Sequence, residues 1–168
     1  MIFRLSQTLN GKINAGPLSA MPLNENPSVD WSAHSFVAGR KQFILLSNTT
    51  SLYSTVIPGT GSTNASQFVE LAFRCIRERL EEDGFDAIIR QFVPPASESV
   101  QFAKTLNRSV TGSMNELIQA ATSLLVEDFR TPHDASNDLL LSILARSSSE
   151  KYGKPRAAFN ELVSKIKA

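Results

Sequence analysis

Three runs rich in β-branched, aromatic and leucine residues, at 35–38, 42–47 and 52–57, follow one another with only short turn sequences between them. Gly39-Arg40 separates the first two and Asn48-Thr49-Thr50 the second and third. Connections this short join only antiparallel neighbours, because a parallel pair needs a crossover of about a dozen residues or more. A β-meander is therefore expected. The unbroken apolar run Phe43-Ile44-Leu45-Leu46 predicts that its middle strand is covered on both faces.

Residues 2–5 and 100–104 read as further short strands. Asn10-Gly11 and the proline-bearing stretch 16–27 read as an irregular connection. After Pro58-Gly59, Asn64 with Gln67 three residues on is a capping-box signature. It opens a helix expected to run to about Asp83, with Gly84 as its stop and Phe68, Leu71, Ala72, Ile76 and Leu80 on an apolar face laid across the sheet. Residues 85–93 read as a short helix before Pro94-Pro95. Ser113 and Glu116 form a second capping-box signature ahead of Met114, Leu117, Ile118, Ala121 and Leu125 at helical spacing. Two more helices are expected, at 138–145 and from Pro155 through Ile166, with Ser147-Ser148-Ser149 as a solvated linker. The fold class is thus α+β: an N-terminal antiparallel β-meander of four to five strands packed against a helical C-terminal half, in one domain over residues 1–168.

A chain of 168 residues buries roughly two-thirds of its unfolded surface and needs no covalent staple. Lys and Arg number 17 against 16 Asp and Glu, so no long-range field draws it to nucleic acid or anionic lipid, and any anion site must be local. Cys75, the single cysteine, falls on an apolar helical stripe and reads as an inert core thiol of a reducing compartment. The opening residues turn polar too soon for a signal peptide, and no run of about 18 apolar residues occurs, so a cytoplasmic setting without membrane association is expected.

The segment with most chemistry is 104–115, where Lys104, Arg108, Ser109, Thr111, Gly112, Ser113 and Asn115 precede or open the helix expected at Ser113. Free amides of a first turn, a glycine permitting close approach and a guanidinium make an anion cradle. The competing structural account has Ser113 and Glu116 serving the cap and Arg108 in a salt bridge. Gly59-Thr60-Gly61-Ser62-Thr63 also joins a strand to a helix, but it lacks both the Gly-Lys-Ser/Thr ending of a P-loop and the third glycine of a dinucleotide fingerprint. His34 and His133 stand far apart without metal-ligand spacing, so no metal and no cofactor are expected. Trp31, the single tryptophan, is expected to plug the core rather than serve a recognition surface.

Three segments taken together resemble a bacterial family known as a domain of unknown function. They are Asn26-Pro27 with Asp30-Trp31 and His34, the stretch 44–54, and Asn107-Arg108-Ser109-Val110-Thr111-Gly112-Ser113-Met114-Asn115. The resemblance runs from Met1 to about Phe159. It implies a bacterial origin, a cytoplasmic setting and association with plasmid or mobile-element genes. No catalytic residue is carried over, while Arg108, Gly112 and Asn115 stand out because they lie in its most distinctive run. The leading expectation is a noncatalytic binding or regulatory module that recognises an anionic group or a protein partner through 104–115. Two alternatives stand beside it: an enzyme acting on a phosphorylated or nucleotide substrate, with Gly59 to Thr63 and Arg108 around one cleft, and an antitoxin-like subunit of an obligate complex.

Overall fold

The computed structural model describes residues 1–86, 88–89, 100–141, 144–145 and 152–166. Beyond Ile89, the helix expected over 85–93 lies outside the described residues, as does the linker at Ser147-Ser148-Ser149.

The meander is present as β2 (Asp30–Ala38), β3 (Lys41–Asn48) and β4 (Ser54–Pro58), each antiparallel to the next. Gly39 and Arg40 make the first turn with φ of 54° and 67°, the double left-handed conformation that lets a two-residue hairpin follow the strand twist. β1 (Ile2–Leu5) lies beside β2, and β5 (Gln101–Lys104) beside β1, giving the order β4-β3-β2-β1-β5. Both pairings of β1 are parallel, so the sheet is mixed and the expectation of an all-antiparallel sheet is corrected. The physical reason lies in the connection from Leu5 to Asp30, which is long enough for a crossover and carries a helix of its own, α1 (Gln7–Ile13). Ser6 caps that helix by accepting from the Leu9 amide, and Leu9 and Ile13 bury one face of it. Asn10-Gly11 therefore sits inside a helix, not in a turn.

α2 (Ala65–Glu82) is capped by Asn64 as expected and stops at Gly84, whose φ is 77°. Phe68, Ala72, Ile76 and Leu80 bury its inner face with Leu9 and Ile13 of α1, and with Phe3, Trp31, Ile44 and Leu46 of the sheet. Phe159 of α5 (Pro155–Ile166) joins this layer. Trp31 is 1% exposed and packs edge-on against Tyr53 and Phe159, which makes it the core plug the sequence suggested. The opposite face is covered by α3 (Arg108–Val126), whose Val110, Met114, Leu117 and Ala121 meet Ala38, Phe43, Leu45 and Val56. β3 is thus sandwiched, as its apolar run predicted.

α4 (Pro132–Leu141) wraps the β4 edge, contributing Leu139 to one core layer and Leu140 to the other. It starts earlier than expected and ends before 144–145, which pair as a strand with Tyr152–Gly153. Its Ser136 hydroxyl accepts the outward Val56 amide at 2.8 Å. At the other edge Ser19 bridges Ala103, and the Lys104 amide donates to the Ser19 carbonyl at 2.9 Å.

Candidate functional site

β1 and β5 run side by side in the same direction, with Leu5 opposite Lys104, so both chains leave the sheet at one end. Each goes on to a helix start: Ser6 caps α1, and Asn107 caps α3 by accepting from the Val110 amide at 2.9 Å. At these strand ends, against α1, lies a cavity of about 330 Å³ lined by Leu5, Gln7, Asn10, Leu18, Lys104 and Thr105. Lys104 is the one charged residue in that lining among the described residues. The carboxyl ends of parallel strands are where sheets of this kind hold ligands, because helix first turns point their free amides there. In α3 the cap occupies the Val110 amide, and those of Arg108 and Ser109 have no partner among the described residues.

The seven residues expected to act together are divided by the fold. Lys104 lines the cavity. Arg108 and Ser109 form the exposed first turn of α3, and Arg108 makes no ion pair among the described residues. Gly112 and Asn115 follow Arg108 at spacings of four and seven, which sets all three on one exposed side of the helix. The Thr111 hydroxyl donates back to the Asn107 carbonyl. Ser113 is 8% exposed and faces the core. The helix thus begins at Asn107 and not at Ser113, and the second capping box is corrected: the amides of 113–116 lie inside α3. The reason is Val110, which extends the stripe of Met114, Leu117 and Ala121 one turn upstream and is buried with it. Thr105 falls within the segment 104–115, whereas Leu5, Gln7, Asn10 and Leu18 were not among the residues the sequence pointed to. The signal for the α1 part was Ser6 followed by Leu9 and Ile13 four residues apart.

The loop Gly59-Thr60-Gly61-Ser62-Thr63 is tied down by the fold. The Gly59 amide donates to the Gln42 carbonyl, and a Cβ at Gly59 would come within 3.0 Å of the Gln42 backbone. The Lys12 ammonium holds the Gly59 carbonyl, and the Gln67 side chain accepts from the Thr63 amide and hydroxyl. The loop leads into α2 on the α1 side of the sheet, whereas Arg108 opens α3 on the other side.

A family model described as a domain of unknown function (DUF6933) matches residues 2–158. The chain belongs to the DUF6933 family. The region matched to DUF6933 includes the whole sheet and every residue lining the cavity at the ends of β1 and β5. No curated protein and no solved structure matches the chain. Among the described residues of this DUF6933 domain, no helix is long and apolar enough to cross a membrane.

A second cavity of the DUF6933 domain, about 290 Å³, brings Cys75 and His133 to one place with Glu78, Arg79 and Glu82. Arg79 is 6% exposed and ties Glu82 at 2.6 Å and Asn137 at 2.6 Å, while His133 Nε2 lies 3.1 Å from Glu82. Burial, and then Glu78, push the Cys75 thiol up from its ordinary value, which is the reverse of what a nucleophile needs. Nearby, the Tyr53 hydroxyl donates to Asp83; burial first and that bond second raise its pKa far above the ordinary phenol. These groups are arranged as a structural network linking α2 and its end to α4 and to Tyr53 just ahead of β4. No group of His, Cys, Asp and Glu suited to a metal ion occurs among the described residues.

Proposed function

We propose that this chain is a noncatalytic binding or regulatory module that holds an anionic group, of a small ligand or of a partner, at the carboxyl ends of β1 and β5. The observation that carries this reading is the cavity at the ends of β1 and β5, whose one charged lining residue among those described is Lys104, at the head of the segment that leads into α3. A carboxylate or phosphate placed there gains the charge of Lys104 and the hydroxyl of Thr105 as a hydrogen-bond donor. Leu5 and Leu18 give the same cavity an apolar wall, which suits an anion carried on a small organic body. The raised Cys75 thiol, and the separation of the Gly59 loop from Arg108 by the sheet, favour binding over an enzyme that would close both loops on one substrate.

The test is a thermal-shift and calorimetric series with inorganic phosphate and short carboxylic acids. At a hundredfold excess over its Kd a ligand that fits stabilises by about 2.7 kcal/mol, a rise of roughly 5–10 °C in Tm. Lys104→Met should abolish the rise and Arg108→Ala reduce it, each leaving the unliganded Tm within a degree or two. A rise that survives Lys104→Met, or none with any anion, would remove the proposal.

A further inference from the structure

We propose that the C-terminal end of α3 and the tip of the β2–β3 hairpin together form the surface through which two copies of this chain pair. Phe129 is 87% exposed and sits at a φ of 52°, a left-handed conformation that disfavours a bulky side chain. It occupies that position because α3 ends there: the Glu127 and Asp128 amides close on the Ser123 carbonyl, and the Arg130 amide reaches back to Leu124. Glycine is the usual occupant of such a position, and here an aromatic ring faces solvent instead. Val126, 40% exposed, adjoins it and touches the hairpin tip, since a Cβ on Gly39 would lie 3.6 Å from Val126 Cγ2.

The two adjoining elements carry opposite charges. Arg40 and Lys41 are exposed at the hairpin tip, and Glu127 and Asp128 are exposed at the helix end. None of the four has an ion-pair partner among the described residues. A two-fold axis through such a surface sets the acidic pair of one copy against the basic pair of the other and brings the two Phe129 rings to the centre. An unlike partner of a single charge sign would leave one of the two pairs facing like charge, which is why a second copy fits better. The contact is small, so the pairing is concentration-dependent.

Sedimentation velocity of the full chain over a wide dilution series tests this. The expected result is a mass that climbs from the 18.4 kDa of one chain toward twice that value as concentration rises. Phe129→Gly should abolish the climb while its Tm stays level or rises, because glycine adopts the required φ freely. Arg40→Glu with Lys41→Glu should weaken pairing, Glu127→Lys with Asp128→Lys should do the same, and all four substitutions together should restore it. A wild-type chain that stays monomeric throughout, pairing that survives Phe129→Gly, or a fourfold variant that fails to recover would each overturn the proposal.

Discussion

Arg4 and Asp30 meet in a two-bond pair, Nε to Oδ1 and Nη2 to Oδ2 both at 2.7 Å, with neither side chain exposed to solvent. Nη1 and Nη2 also donate to the carbonyls of Met21 and Pro22, at 3.0 and 2.7 Å, and Asp30 also accepts from the Asn24 amide. The pair thereby fastens β1, β2 and the loop between them at a single point. A buried ion pair of this kind adds little over a well-packed apolar pair, yet removing one partner strands a charge and costs about 3–5 kcal/mol. Asp30→Ala should lower stability by that amount in urea unfolding. The double variant Arg4→Met with Asp30→Leu should lose less than Asp30→Ala does. A single variant within 1 kcal/mol of wild type would refute the account of a stranded charge.

Ser136→Ala should cost about 1–3 kcal/mol, because it leaves the Val56 amide of the edge strand buried without an acceptor. Hydrogen exchange at Val56 should accelerate well beyond that of inner amides. Unchanged protection there would show that the hydroxyl is not what holds the edge.

His34 of β2, opposite Leu45 of β3, is buried, and burial lowers its pKa to about 4 from 6.5. Between those values the unfolded chain takes up a proton that the folded one refuses. Its share of stability is therefore complete above pH 6.5 and falls by about 1.4 kcal/mol per unit as pH drops toward 4. His34→Leu should remove this slope, so the gap between variant and wild-type urea midpoints should widen in the variant's favour from neutral pH to pH 4.5. A gap that stays constant across that range would count against it.

Asn107→Ala should cost about 1 kcal/mol as a lost cap, whereas Ser113→Ala, in the middle of α3, should be near neutral or stabilising. A Cβ at Gly112 meets nothing within 4 Å, so Gly112→Ala should stabilise the helix by roughly 0.5–1 kcal/mol. Thermal melts of the three variants decide the register of the helix start, since a cap at Ser113 would reverse the order of the first two.

The meander and α2 were legible in the sequence because local signals specify them. Two short turns fix β2, β3 and β4 as neighbours, and Asn64 marks its own helix start. The parallel placement of β1 was not legible, since the partners of Ile2 to Leu5 lie far along the chain and only packing selects them. The early part of β2 hid for a related reason: Asp30, Ser32 and His34 read as polar, yet all three are buried. Asp30 is neutralised by Arg4, and Ser32 bonds to Thr49. At the candidate site the sequence pointed to 104–115 but misplaced the helix start by a turn and a half. Asn107 and Ser113 are both competent caps, and the burial of Val110 decides between them. The cavity wall from α1 was hidden by Asn10-Gly11, a pair that reads as a turn until Leu9 and Ile13 find a core to enter.

With the Ser136 hydroxyl on β4 and the Ser19 carbonyl on β5, the two margins of the sheet are met by groups of the same chain. An extended segment from a neighbouring molecule thus arrives to find the Val56 and Lys104 amides already taken. Pairing of a foreign strand at these two positions would first require α4 to peel away or the Ser19 loop to lift.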